Sequence, residues 1–560
     1  MLRLVVLKCA LLCAAILCIS GLPGAEESEG WVSCFDGKDF SNWSIQGEQD
    51  SFQIVDGEIR TVKGKSGWLK SDRQYEDFDL QLEFKIGRDK NSGVFIHAPV
   101  WGRSSSLGME IQILGDFGRE PNDGSSGAIY AVEAASKNAM KPSAEWNSYE
   151  ISWHDAHLTI RLNEEVIHDI DLNNHPALRD RLRVGYIGLQ NHGDEACFKN
   201  IRIRPGTEKQ YGVAIEHSPR VMQGQRPALN VDRLSILHVV AMSPAGLIYC
   251  SGRTGETWDS PALLPGTERA VRHDIFNFPS GEDPLVVWSD DAHVYVSVRN
   301  NGDWKQPERI SGDGKAFFPT VMMVAQSEHF LAYVEKDNAG ETIHLHTFED
   351  GHKAKKHNRL VTGHRFNQPK GIVADMQRDV VVTWGGLSPE NTANGEPYVG
   401  LVRAHPSGDW IGPLHWLTDR TAAGSVVPCV GLDCTFAIVR PVREGKQVVF
   451  CQSTPGNPID ELGPDTAIGV WSDPNPPVPI CRPLGSGYVA AWTRRYGSDD
   501  ALRVGWSWFD GLRWNPKEPF PGCEAAGDPD SGLIGQSVYV VWPGTDGWIY
   551  AERITLAEME

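Results

Sequence analysis

The chain has 560 residues, with 73 acidic against 53 basic side chains and a formal charge of −20 at pH 7. Single hydrophobic cores stop growing at about 250 to 300 residues, so two or three domains are expected. The acidic balance, without a Lys/Arg cluster, argues against nucleic acid or an anionic membrane as partner, and 19 Trp, 57 Gly and 35 Pro with hardly any long amphipathic run describe an all-β protein rich in turns.

Arg3 and Lys8 flank the start of an apolar run, Cys9 to Ile19, that ends in Ser20, Gly21, Gly24 and Ala25. This reads as a signal peptide over residues 1–25, too short for a membrane span, and predicts a secreted or periplasmic protein without a transmembrane segment. Beyond it lie Cys34, Cys197, Cys250, Cys429, Cys434, Cys451, Cys481 and Cys523, with no CxxC and no dense framework. One or two bridges at most are expected. Cys34 with Cys197 is the preferred pair, because both lie in terminal strands of one domain; two buried free thiols are the equal alternative.

From Trp31 to Pro205 the chain reads as a succession of strands. Phe78, Leu80, Leu82, Phe84 and Ile86 alternate with Asp79, Gln81, Glu83 and Lys85, so one face is buried and the other wet. Leu158, Ile160 and Leu162 repeat the pattern before a turn at Asn163-Glu164. Residues 186–192 and 198–203 supply the last two strands, and a two-sheet antiparallel sandwich of the jelly-roll kind accounts for the whole. Two runs carry polar residues at alternate positions, Asn91 to His97 and Gly108 to Asp116. Alternation groups His97 with Phe95, and Glu110 with Gln112 and Asp116, on sheet faces that suit a groove better than a core.

The blocks Phe35-Asp36-Gly37-Lys38-Asp39 with Trp43, Asn91-Ser92-Gly93-Val94, Glu110-Ile111-Gln112, Gly127-Ala128-Ile129-Tyr130, Glu145-Trp146-Asn147-Ser148-Tyr149-Glu150, Gly188-Leu189-Gln190-Asn191-His192-Gly193 and Phe198-Lys199-Asn200-Ile201 follow in that order. Together they resemble the 3-keto-disaccharide hydrolase domain family, with its concanavalin A-like or laminin G-like sandwich, over residues 30–205. The resemblance implies cleavage of glycosides already oxidised at carbon 3. The ketone acidifies the carbon 2 proton, a base removes it, the group on carbon 1 leaves, and water adds back. Such chemistry needs a base, a stabiliser for the enolate oxygen and an acid for the leaving group. Glu110 and His192 are the candidate bases, and His97 or a bound cation the candidate stabiliser. Gln112, Gln190 and Asn147 are candidates to orient hydroxyls. Asp116, Tyr130 and Trp146 complete the substrate-binding set, the last two being equally ordinary as packing residues. His97 departs from the family, which often has Arg there, and imidazole gives neither the permanent charge nor the fork of a guanidinium. Ala156 and Glu164 replace glycines common in the family, which bears on turn geometry. No HxH, HExxH or Asp-rich loop is present; the sequence commits to no cofactor and leaves a divalent metal open.

After a linker at 206–212, residues 213–560 are built from a recurring unit that closes in a Gly-x-Trp turn and a Pro, as in Gly302-Asp303-Trp304-Lys305-Gln306-Pro307 and Gly408-Asp409-Trp410-Ile411-Gly412-Pro413. Unit starts near Arg226, Ala270, Phe317, Phe366, Val426, Pro477 and Pro521 give the period of four-stranded propeller blades. Seven blades are expected, or six if residues 365–477 are overdivided, with residues 213–223 donating the strand that the last unit lacks. Ser251 to Trp258 resembles the Asp-box turn of sialidase-like propellers, with Arg253 at the Asp position. Arg272, Arg365, Arg494 and Arg495 are the arginines that sialidase chemistry would draw on, and His273, Asp274, Lys370 and Asp528 are expected around the central entrance.

The sequence therefore predicts an all-β protein, a jelly-roll or concanavalin A-like sandwich followed by a six- or seven-bladed β-propeller. The function that the resemblance implies is hydrolysis or elimination of 3-keto glycosides, with the propeller expected as scaffold or glycan platform and a dehydrogenase as the expected partner producing the keto sugar. The rival reading is a noncatalytic carbohydrate-binding protein.

Overall fold

The computed structural model describes residues 30–558, apart from 100–103, 207–210, 219, 277–282, 324–328, 339, 349–353, 364–368, 374–379, 388–396, 405–411, 413, 432–434, 454–461, 472–474, 497–500, 511–512, 518 and 522–523. The expected signal peptide, Arg365 and most of the Gly408 to Pro413 turn lie outside the described residues.

The N-terminal part is the expected sandwich. Its strands are β1 (Val32–Ser33), β2 (Trp43–Gly47), β3 (Phe52–Val55), β4 (Glu58–Thr61), β5 (Gly67–Tyr75), β6 (Phe78–Ile86), β7 (Asn91–Ala98), β8 (Met109–Leu114), β9 (Trp146–His154), β10 (His157–Leu162), β11 (Glu165–Asp171), β12 (Gly185–Asn191) and β13 (Ala196–Pro205). An eight-stranded sheet runs β11-β10-β9-β6-β13-β4-β3, with β1 also on β13, and a five-stranded sheet runs β2-β5-β12-β7-β8. The alternation in β6 decides its orientation. Phe78, Leu80, Leu82, Phe84 and Ile86 enter the core with Tyr149, Ile151 and Trp153 of β9, and meet Leu69, Val94, Ile96, Ile111, Ile113 and Leu189 of the other sheet. The partner residues on each strand are left on the outer faces.

Cys34 and Cys197 are both free thiols. The Cys34 amide bonds Ile201 O at 2.9 Å, which sets Cys197 four positions further along β13, about 13 Å away at 3.3 Å per residue. A disulfide needs Cα atoms within about 7 Å, so the register forbids this pair.

Among the described residues, the rest of the chain forms seven sheets of four strands or, in one case, five. Their first strands are Gln225–Val231, Arg272–Phe276, Lys315–Met323, Lys370–Val373, Val427–Val430, Ile480–Leu484 and Asp530–Ile534. Each packs beside the first strand of the next sheet, and the seventh beside the first, so the ring is closed. Seven blades is therefore the count. The last blade borrows its outer strand from the start of the domain: Tyr211–Ser218 pairs antiparallel with Ile549–Glu558, with Val213 opposite Leu556. The Gly-x-Trp repeat has a packing reason, because its indole turns back onto the preceding blade. Trp304 meets Tyr249 with centroids 5.3 Å apart, and Trp514 meets Phe450 at 4.9 Å.

Candidate functional site

The outer face of the five-stranded sheet holds two rows of side chains set by register. In the first, Lys70 of β5 lies opposite Gly188 of β12, Gly188 opposite Phe95 of β7, and Phe95 opposite Glu110 of β8. In the second, Trp68 is opposite Gln190 and Gly93 opposite Gln112. Gln190 follows Leu189, which pairs with Val94, so it stands beside Gly93. A cation and a carboxylate thus end one row, three strand spacings or about 14 Å apart along the backbone.

Two glycines open this face. A Cβ on Gly93 would lie 2.7 Å from Glu110 Oε1, so the missing side chain is what admits the carboxylate. A Cβ on Gly188 would lie 2.3 Å from the Trp68 ring. The indole crosses that gap to meet Phe95 edge-on, with centroids 5.6 Å apart. Lys70 donates to Ser71 O at 2.9 Å, and its Nζ sits 3.9 Å from the Tyr186 ring centroid.

The face is polar yet largely withdrawn from water. Lys70 is 7 % exposed, Glu110 5 % and Gln112 3 %. Gln112 Nε2 donates to Gly124 O at 3.2 Å. Among the described residues, the buried oxygens Gln112 Oε1, Gln190 Oε1 and Asn91 Oδ1 have no hydrogen-bond partner. Acceptors left open together are costly unless a ligand or water meets them. Asp194 fastens the end of β7: burial opposes its charge, but Lys90 Nζ at 2.9 Å and the Asn91 amide at 3.0 Å hold its carboxyl below the usual range.

Of the sequence candidates, Glu110, Gln112 and Gln190 share this face. His97 does not. Between β7 and β12 the register shifts, so that Ile96 and His97 together oppose Ile187. His97 takes φ +47° there, and a Cβ on Gly108 or Gly185 would lie 2.5 Å or 2.3 Å from its backbone. The bulge turns the imidazole into the core, between Trp153 at 4.3 Å and Phe78 at 5.4 Å, with Nε2 bonded to Glu76 O at 2.8 Å. Burial pushes its pKa down to about 3, leaving a neutral packing residue in place of an enolate stabiliser.

Trp146 and Asn147 belong to the other sheet. Trp146 lies on its solvent face, under Lys199 Nζ at 4.0 Å and Lys85 Nζ at 4.5 Å. Asn147 Oδ1 accepts from Lys141 N and Asn163 Nδ2, so it ties two turns together. His192 stands exposed in the turn after β12, and its neighbour Asn191 is the anchor, donating to Ser51 O and Val62 O. Asp116 accepts Ser126 N at 2.9 Å and so draws residues 125–130 along β8, where Gly127 N bonds Gln112 O and Tyr130 N bonds Glu110 O. Tyr130 is half-buried beside the face.

Lys70, Trp68 and Asn91 complete the site and are the residues that sequence reasoning missed. The alternation of Trp68 and Lys70 about Leu69 puts them on one face of β5, but only the pairing of β5 with β12 makes that face part of the site. Among the described residues no three His, Cys, Asp or Glu side chains converge to hold a metal ion.

Three of the propeller candidates, His273, Asp274 and Lys370, interact electrostatically with Asp530. Asp274 accepts Thr320 Oγ1 at 2.7 Å, Thr493 donates to Asp528 at 2.8 Å, and His273 is bonded to Val240 O, its pKa pushed down to about 4 by burial. Lys370 begins the first strand of its blade, where its charge acts on buried Asp530. Arg272 lies over Phe318 and Arg494 over Tyr496. The Asp-box-like turn joins strands within the first blade, where Arg253 donates to Leu234 O.

Residues 30–204 match the family model described as a 3-keto-alpha-glucoside-1,2-lyase-like domain. A 3-keto-disaccharide hydrolase of Bacteroides thetaiotaomicron is 24 % identical over 230 residues, covering 32 % of this chain and 79 % of its own. A putative glycosyl hydrolase of Parabacteroides distasonis is 25 % identical over 32 % of this chain and 95 % of its own, with a TM-score of 0.29. A mutant NanB sialidase of Streptococcus pneumoniae spans 87 % of this chain and 98 % of its own at 9 % identity, with a TM-score of 0.34. No helix among the described residues is long and apolar enough to cross a membrane. Carbohydrate processing is the function class that the family model and the Bacteroides relative support, and over residues 30–204 the chain is similar to the 3-keto-alpha-glucoside-1,2-lyase-like domain family.

Proposed function

We propose that the sandwich eliminates or hydrolyses 3-keto glycosides on the outer face of its five-stranded sheet, with Glu110 as the base. The observation that carries this is the Glu110 carboxylate lying over Gly93, between the open acceptors of Gln112 and Gln190. Glu110 takes the proton from carbon 2, and the electron pair of that C–H bond becomes the enolate of the carbon 3 ketone. Collapse of the enolate forms the carbon 1–carbon 2 double bond and expels the aglycone oxygen, which takes up a proton. Water then adds across the double bond. Lys70, at the far end of the same row, supplies positive charge toward the developing enolate. Gln112 and Gln190 accept hydrogen bonds from sugar hydroxyls, and Trp68 with Phe95 offers an apolar wall to a sugar face.

The substrate must come from an oxidation at carbon 3, so a sugar dehydrogenase is the class of enzyme that acts before this one. Export rests on the N-terminal apolar run; N-terminal sequencing of the native protein, showing a start near residue 26, tests it. Activity is tested with a 3-keto glucoside bearing a chromogenic leaving group, beside its unoxidised parent. Release from the keto compound alone supports the reading. Binding of the keto compound without release, with and without added divalent metal, replaces it with a lectin-like role, to which the Trp68–Phe95 wall is equally suited.

A further inference from the structure

The segment 177–182, between β11 and β12, fastens the sandwich to the propeller. Asp180 is fully buried, and three of its bonds come from the propeller: Ser537 Oγ at 2.7 Å, Tyr539 OH at 2.8 Å and Arg553 Nε at 2.7 Å. Its backbone oxygen accepts Gln536 N at 2.8 Å. The fit is close at Gly535, where φ is +53° and a Cβ would lie 1.8 Å from Asp180 O. A carboxylate so placed, matched by a guanidinium and two hydroxyls, is destabilised strongly if its partners are removed, which makes it an anchor and not a surface contact.

The neighbouring residue faces both ways. Arg181 is 1 % exposed; its Nη2 donates to Arg233 O of the propeller at 2.8 Å, while its Nη1 donates to Ser105 O at 3.1 Å and approaches Gly108 O at 3.4 Å. Leu182 N bonds Leu107 O at 2.9 Å. Ser104–Leu107 is a single helical turn, and its Leu107 packs on the propeller cluster that includes Val221, Met222 and Tyr539. Gly108 leads directly into β8, whose second residue is Glu110. Thus the propeller grips the point at which the chain enters the strand that carries the carboxylate.

We propose that the propeller serves the chemistry of the sandwich by fixing the entry to β8, with Asp180 as the anchor and Arg181 as the positioning residue for Glu110. This rests on Glu110 being the base. A carboxylate must be held within a fraction of an ångström of a carbon-bound proton, and a misplacement of about 1 Å costs about a hundredfold in rate. The propeller then has a catalytic consequence without touching substrate.

The test uses the full chain with Tyr539→Phe, Ser537→Ala and Arg181→Lys. Two readouts are followed: kcat and KM on the 3-keto glucoside, and amide hydrogen exchange in Met109–Leu114 compared with His157–Asp171. The expected result is about a tenfold fall in kcat with KM within about twofold, and faster exchange confined to Met109–Leu114. Ser537→Ala removes one bond and keeps the test open should a harsher variant fail to fold. Unchanged kcat, or exchange that rises equally in Met109–Leu114 and in His157–Asp171, overturns the proposal. If the parent protein shows no turnover, the assignment of Glu110 fails on its own, and the exchange pattern still decides whether the propeller fixes β8.

Discussion

The two outer faces of the sandwich are built on the same alternation and do opposite things with it. On the eight-stranded sheet, cross-strand neighbours satisfy one another in water: Arg204 with Asp79 at 2.7 Å, Arg202 with Gln81 at 2.7 Å, and Asn200 and Lys199 with Glu83 at 2.7 and 3.4 Å. On the five-stranded sheet, Lys70 and Glu110 end a common row with Gly188 and Phe95 between them, both buried, beside oxygens that lack partners. A solvated face spends its polar groups on each other for tenths of a kcal/mol per pair. A face that leaves the acceptors of Gln112, Gln190 and Asn91 buried and unmet forgoes that stability, as a face that meets a ligand would.

Removing the carboxylate breaks this contrast most sharply. Glu110→Gln is expected to lower kcat on a 3-keto glucoside by about a thousandfold, the scale of a lost general base, with the melting temperature nearly unchanged. Glu83→Gln, the same change on the opposite sheet, should leave kcat within about twofold. Equal effects would end the assignment of the five-stranded face. Lys70→Met comes next. It keeps the apolar stem beside Tyr186 and removes the charge, and the loss of one stabilising donor predicts about a hundredfold fall in kcat with a smaller change in KM. Steady-state kinetics on the keto substrate separate the two terms.

Gly93→Ala sharpens the comparison from the packing side. The new Cβ would stand 2.7 Å from Glu110 Oε1. A flexible carboxylate yields, so the fold should survive at a cost of ~1–3 kcal/mol in chemical denaturation, while kcat falls by about ten- to a hundredfold. A variant as active as the parent would show that the carboxylate does not need its place over Gly93.

How far the sequence was legible follows from the range of each signal. The period-2 pattern of Phe78 to Ile86 and the blade repeat are local, and both fold as read, down to the strand that closes the seventh blade. Glu110 and Gln112 were legible for the same reason. Trp68 and Lys70 were not, because only the pairing of β5 with β12 brings them to that face, and pairing is a long-range fact. Trp146 and Asn147 sit in a block ordered like the others, but order along the chain does not say which sheet a strand joins. Cys34 and Cys197 failed on register alone. His97 was misplaced by one inserted residue, since a bulge with positive φ reverses the side of the sheet to which a residue points.

His97 also gives the smallest effect, and one whose sign is fixed. Its pKa is about 3 in the folded protein and 6.5 when exposed, so between these values the unfolded chain binds the proton and the folded one does not. Its contribution is therefore intact above about pH 6.5 and lost as the pH falls toward 3, at about 1.4 kcal/mol per unit. Burial is the main cause; the bond to Glu76 O opposes the shift, and the Arg183 guanidinium adds to it. At pH 7, His97→Leu should be less stable by ~1–2 kcal/mol, because Glu76 O loses its partner. By pH 5 the parent has lost about 2 kcal/mol that the variant never had to lose, so the deficit should close. Other groups titrate in the same range, among them Glu552 with a pKa raised to about 7 by burial, so the difference between variant and parent, measured by denaturation at each pH, is the quantity that isolates His97. A difference that stays constant from pH 7 to 5 would mean that the imidazole takes up its proton in the fold as readily as in the unfolded chain, and would return it to the list of groups able to meet an enolate.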